Sequence, residues 1–225
     1  KGKNRINGLV TFPTNKCDGW DRPILCDSKV FQYGDAIAIV CADTKEQALA
    51  AAEKVKVEYE ELPAYMNAPA AMAEDAIEIH PGTPNVYFEQ GVVKGDDTKP
   101  ILDSAAYVVE SSYYTQRQPH LALESDMGFA YFDEEGRLTI HSKSIALYLH
   151  VLMIADGLGI EASKLRMVQN TAGGTFGYKF CPTIEALLGV ACMAANRPVY
   201  LEYDYEQFIT YTGKRSPFFI NLKFG

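Results

Sequence analysis

Residues 36–42, AIAIVCA, form a short continuous apolar run, the pattern of a strand buried on both faces. Thr44 and Gln47 follow at capping-box spacing, and Ala48, Ala51, Ala52 and Val55 put small apolar side chains on one helical face. VKVEYEEL then alternates: Val57 and Tyr59 face one way, while Lys56, Glu58 and Glu60 face the other. The pattern predicts a strand-helix-strand unit with one wet sheet face, within a small α+β domain over residues 1–80. From His80 to Pro100 the chain gathers Pro, Gly and Asp, which favour turns and interrupt ladders, so residues 81–104 are predicted to be a linker.

The second half, 105–225, opens with β patterning in YVVESSYY, DMGFAYF and RLTIHS. The last two are joined across Asp133–Gly136, where Asp, Glu and Gly suit a hairpin turn, and the three together predict a meander. Leu147, His150, Val151, Ile154 and Leu158 recur at helical spacing, and Gly157 and Gly159 supply a stop before the short strand KLRMVQ. A second helix is predicted with Pro182 in its first turn, an apolar stripe of Ile184, Leu187, Leu188 and Ala191, and a stop at Asn196 and Pro198. Strand VYLEYDY follows. The fold class is therefore α+β, without the repeated βαβ pattern of a dinucleotide-binding domain.

Composition narrows the function classes. The chain has 225 residues, 48% hydrophobic and 22% charged, enough for one large or two modest cores. Its net charge of -8, with no basic tract, argues against nucleic-acid binding, which needs clustered Lys and Arg. No apolar run approaches a membrane span and no apolar signal core follows the N-terminus, so a cytoplasmic protein is expected. Cys17, Cys26, Cys41, Cys181 and Cys192 are odd in number and contain no CxxC pair, which disfavours a disulfide framework, a structural zinc site or an iron-sulfur cluster. Cys41 and Cys192 lie in apolar stretches and read as inert core thiols. The missing initiator Met and the end at NLKFG, inside a strand pattern, predict an internal piece of a longer chain.

The segment with the clearest chemistry is NTAGGTFGYKFCP, residues 170–182, between a predicted strand and a predicted helix. Gly173, Gly174 and Gly177 permit positive φ and close backbone approach, so successive N–H groups can converge on an anionic or oxo ligand. The spacing is neither GxGxxG nor GxxxxGK[ST], and a glycine-rich turn of this kind serves equally as a structural crossover.

GGTFGYKF, a small-residue helix and then TGKRSPF resemble the molybdenum-binding half of aldehyde oxidoreductases in the xanthine oxidase family of molybdenum hydroxylases. The resemblance extends through RQPHLALESDMGFAYF and HSKSIALYLH, and DRPILCDSKVFQYGDAIAIVCAD to EELPAY resembles the family's α/β hammerhead domain. It implies a hammerhead domain followed by the N-terminal part of the mixed α/β molybdopterin-binding domain. By position it implicates Gly174, Thr175, Phe176 and Gly177 in holding molybdopterin, expected in its cytosine dinucleotide form. Backbone donors suit this task, since they are fixed by the fold and carry no titrating charge. Phe176 has an alternative as a packed aromatic plugging the loop.

Phe180 falls where purine-oxidising relatives tend to carry a glutamate, so an apolar residue there implies an aldehyde pocket; inward core packing is the alternative. Ile145 departs from the family, many members of which have a glutamine near this position, and Ser125 follows Glu124 where proline is common. The implied reaction is oxidation of an aldehyde to a carboxylic acid with water as oxygen source. Electrons would leave through [2Fe-2S] clusters outside this chain to an electron acceptor, an acceptor protein being among the candidates. The family's catalytic glutamate belongs to a later motif absent here, so no catalytic residue and no turnover are expected of this chain alone, and its partners are the remaining domains or subunits. Two other readings stay open: a noncatalytic half of a split enzyme or assembly module, and a purine or heteroaromatic hydroxylase.

The remaining candidates are weaker. His120 and Glu124 are four apart, but their β context disfavours a metal pair, and the resemblance makes Glu124 a buttress beside Gln118 and His120. His80 and His150 read as surface or core histidines, and Lys214 and Arg215 as a solvated strand end or a bridge to another domain.

Overall fold

The computed structural model describes residues 4–6, 22–86 and 88–225. In chain order the elements are β1 (Arg5–Ile6), β2 (Arg22–Pro23), α1 (Lys45–Ala52), α2 (Ala68–Ala71), α3 (Thr98–Ser104), β3 (Val109–Thr115), β4 (Gln118–Pro119), β5 (Met127–Phe132) and β6 (Leu138–Ser142). There follow α4 (Leu147–Leu158), β7 (Leu165–Gln169), α5 (Glu185–Ala195), β8 (Val199–Glu202), α6 (Tyr205–Tyr211), β9 (Lys214–Arg215) and β10 (Phe218–Phe224). The chain divides into two compact units, both discontinuous in sequence: residues 1–63 with 120–213, and residues 64–119 with 214–225.

The first unit is organised by a four-stranded mixed sheet in the order β7-β6-β5-β8. The β5–β6 hairpin turns at Asp133–Gly136 as its sequence predicts, with Gly136 at φ +71° and Asp133 accepting the backbone N–H groups of Glu135 and Arg137. β6 and β7 pair in parallel, and α4 makes the crossover between them. Leu138 and Ile140 of β6 are buried with Met153, Ile154 and Leu158 of α4 and Leu187 and Leu188 of α5, forming one core. α4 ends on Gly159 at φ +73°, whose N–H and that of Ile160 bond back to Asp156 and Ala155. Gly128 has no room for a side chain: a Cβ there would collide with the His141 carbonyl oxygen and lie 2.8 Å from Leu188.

Several local expectations need correction. Pro182 is not in the first turn of α5: the helix starts at Glu185, whose carboxylate folds back to accept the Thr183 N–H at 2.6 Å. VYLEYDY is a strand only as far as Glu202. Asp204 then caps α6 in a reciprocal capping box with Gln207, a local hydrogen-bond choice that overrides the alternation. AIAIVCA and VKVEYEEL flank the expected helix α1, but neither has a ladder assigned among the described residues. Cys41 is accordingly exposed rather than a core thiol, whereas Cys192 is fully buried; Cys17 lies outside the described residues.

The second unit is built on a seven-residue antiparallel ribbon, β3 with β10, in which Tyr114 and Phe219 meet with ring centroids 4.8 Å apart. YVVESSYY thus pairs with a strand about a hundred residues later instead of joining a meander with β5, since pairing across long separation leaves no trace in local periodicity. β4 and β9 add a short antiparallel pair. α3 occupies the end of the turn-rich segment: Asp97 caps it through the Lys99 N–H, and Pro100 sits in its first turn, where a missing N–H costs nothing.

Candidate functional site

The glycine-rich segment leaves β7 and enters α5 as predicted. Phe176 and Gly177 both have positive φ, +48° and +96°. Glycine adopts this conformation freely, but for a bulky aromatic it is strained, and such strain persists only where surrounding structure enforces it. Phe176 is nonetheless 70% exposed, so core packing does not account for it. Its ring lies over Gly174, where a Cβ would come within 3.1 Å of it.

Hydrogen bonding of the loop is uneven. The Gly173 N–H donates to Glu124 Oε1 at 2.8 Å, and the Tyr178 N–H to the Thr175 carbonyl at 3.1 Å. The amides of Gly174, Thr175, Phe176 and Gly177 donate to no other described residue. Thr175 Oγ1 is buried and also lacks a partner among the described residues. The amides lie on a partly exposed stretch and, with the buried Thr175 hydroxyl, make a row of donors without a partner among the described residues, an arrangement able to accept an anionic or oxo ligand.

Beneath the loop sits a polar cluster. Lys179, 2% exposed, donates to Glu124 Oε1 at 2.7 Å and to the Gly174 carbonyl at 2.6 Å. Burial would raise the Glu124 carboxyl, but the Lys179 hydrogen bond and the backbone N–H groups of Glu124 and Gly173 outweigh it and hold the group at about 2. Asp126 is driven the other way: burial, then the charge of Glu185, push it up to about 6. Its Oδ1 accepts from the Tyr178 hydroxyl at 3.4 Å. Tyr178 is itself raised, first by burial and then by the Asp126 and Glu124 charges.

Phe180 is 56% exposed and so lies outside this chain's own core. Its carbonyl lies 3.1 Å from Nε2 of the fully buried His150; a carbonyl can only accept, so that nitrogen carries the proton. His150 is thereby a core histidine that pins the turn bearing Phe180. The His120 ring packs against Tyr178 in a tilted arrangement, centroids 5.3 Å apart, with Nδ1 3.1 Å from the Gly213 carbonyl, while Glu124 is engaged elsewhere, so His120 and Glu124 form no pair. Among the described residues no group of three His, Cys, Asp or Glu side chains is placed to hold a metal ion, and no helix is long and apolar enough to cross a membrane.

Sequence reasoning placed the loop but missed Lys179. Its signal was positional: a lysine five residues after Gly174 can reach back to close the loop on itself. The loop's donor set fits an anionic, oxygen-rich group. It is backbone N–H and hydroxyl without a carboxylate, which suits a ligand whose metal is held by its own atoms.

The sequence pattern of the molybdopterin cofactor-binding domain matches residues 79–225, and the chain belongs to that family. The aldehyde oxidase and xanthine dehydrogenase a/b hammerhead domain matches residues 7–63. Among relatives, the chain is 66% identical over 224 residues to an aldehyde oxidoreductase of Megalodesulfovibrio gigas, covering all of this chain and 25% of that one. It is 32% identical over 224 residues to the nicotinate dehydrogenase large molybdopterin subunit of Eubacterium barkeri, covering all of this chain and 50% of that one. The solved aldehyde oxidoreductase from Desulfovibrio gigas superposes with a TM-score of 0.94 at 65% identity, over 99% of this chain and 25% of that one. The chain thus spans between a quarter and half the length of these relatives.

Proposed function

We propose that this chain supplies one wall of the molybdopterin site in a molybdenum hydroxylase that oxidises aldehydes to carboxylic acids. The observation that carries the reading is the row of idle amides from Gly174 to Gly177 around the buried Thr175 hydroxyl. These donors would hold the cofactor, and because the fold fixes them they stabilise negative charge without reorganising. When bound, the molybdenum cofactor supplies two-electron oxidation of the substrate carbon with oxygen drawn from water. Phe176 and Phe180 are exposed aromatics within the same segment as the amides, which fits an apolar aldehyde better than a heterocycle needing a charged grip. Glu124 is committed to Lys179 and Gly173, so it buttresses the loop and is not free to act as a base.

The working protein in this reading contains more than the present chain. The domain boundaries are 1–80 for the hammerhead, 81–104 for the linker and 105–225 for the first part of the cofactor domain. The cofactor is the cytosine dinucleotide form, [2Fe-2S] clusters reside in the remaining domains, electrons pass to an acceptor, and the enzyme works in the cytoplasm. The 66% identity to an aldehyde oxidoreductase supports this reading over a heteroaromatic hydroxylase or a noncatalytic assembly module. The test is molybdenum and pterin analysis of the full-length protein and of the 225-residue chain, both from a molybdate-supplied host. Near-stoichiometric molybdenum and pterin in the full-length protein, together with aldehyde turnover, is the expected result; a folded full-length protein devoid of both refutes it.

A further inference from the structure

The loop Gly174–Lys179 is closed into a ring by its own last side chain. Lys179 Nζ returns to the Gly174 carbonyl at 2.6 Å, and the same ammonium binds Glu124 Oε1 at 2.7 Å. That one carboxylate oxygen also accepts the Gly173 N–H at 2.8 Å. The donor of Gly173 and the acceptor of Gly174 are therefore both tied to a single ion pair, its lysine buried and its carboxylate partly exposed. A Cβ at Gly173 would meet Glu124 Oε2 at 2.7 Å, so the carboxylate presses directly on the backbone it orients. Lys179 is the last group one expects to find fully buried unless its charge is matched, and here the matching groups all belong to the loop or its anchor.

We infer that Lys179 and Glu124 are positioning residues, an internal clamp that sets the direction of the loop's amides and so controls whether the loop can hold its anionic ligand. This inference rests on the molybdopterin reading for the ligand, but its mechanical part concerns the loop alone. Backbone donors recognise an anion only if their peptide planes are held in advance, because a loop free to rotate must lose that freedom on binding. The clamp fixes two successive residues at the loop's start, Gly173 and Gly174, and the strained φ of Phe176 follows two residues after Gly174.

A purely structural ion pair and a positioning clamp respond differently to paired substitution. Removing one partner strands a buried charge and destabilises either kind; removing both replaces the pair by apolar contacts and restores stability. The experiment compares Lys179→Met, Glu124→Met and the double variant in the full-length protein. The readouts are thermal unfolding, molybdenum and pterin per polypeptide, and hydrogen exchange of the peptide covering residues 171–177 in cofactor-stripped protein. The clamp predicts that the double variant recovers the wild-type unfolding midpoint while cofactor content stays down by about ten-fold or more, the scale seen when groups supporting a ligand shell are removed. It also predicts faster exchange at the Gly173 amide in all three variants. Wild-type cofactor content in the double variant, or unchanged exchange in that peptide, overturns the inference. Should the wild-type protein itself lack molybdenum, the functional reading fails, and the exchange comparison still decides whether the clamp orders the loop.

Discussion

Replacing Asp126 with asparagine should remove a pH-dependent penalty built into the first unit. Asp126 is 2% exposed, and burial followed by the Glu185 charge raises it from 3.8 to about 6. Between those limits the native state binds a proton that the unfolded state has released. Stability is therefore fully present below about pH 3.8 and is lost as pH rises through about 6. A rise of roughly two units at about 1.4 kcal/mol per unit gives about 3 kcal/mol lost by pH 7. Asparagine keeps an acceptor for the Tyr178 hydroxyl but cannot ionise. Its new amide adds a fixed offset, so the informative quantity is the slope. Urea unfolding of wild type and variant between pH 3 and pH 7, followed by circular dichroism, should show the variant gaining about 3 kcal/mol relative to wild type across that range. A stability difference that stays flat with pH would mean that Asp126 titrates at its ordinary value and that burial does not raise it.

Gly128→Ala should destabilise by about 1–3 kcal/mol, because its Cβ would meet the His141 backbone and Leu188 in the core; an unfolding midpoint equal to wild type would contradict that packing. Asp133 behaves oppositely to Asp126. Burial would raise it, but the Arg137 backbone N–H and guanidinium and the Thr139 hydroxyl prevail and hold it at about 2. Its contribution is present above pH 3.8 and lost as pH falls towards 2, so Asp133→Asn should flatten the acid limb of a stability-pH curve. In the full-length protein, Phe180→Glu should lower kcat/KM for apolar aldehydes by about ten-fold or more while leaving molybdenum content unchanged; equal loss for polar and apolar aldehydes would remove Phe180 from the substrate wall.

The sequence by itself determined the elements whose causes are local. α4 and its glycine stop, the β5–β6 hairpin and strands β7 and β10 follow from periodicity and turn chemistry among near neighbours. The glycine loop was legible in part: of Gly173, Gly174 and Gly177, whose spacing permits positive φ, only Gly177 adopts it, and the other positive φ of the loop falls, against residue preference, at Phe176. Tertiary structure decided what depends on distant residues. Only folding brings Glu124 to Lys179, 55 residues away, pairs β3 with β10, and sets His150 under the Phe180 turn. It also decided how the carboxyls titrate, because Asp126 and Asp133 have the same side chain and shift in opposite directions according to the groups around them. Local patterns fix which backbone conformations are available to the loop, whereas burial and long-range hydrogen bonds select which polar groups support it.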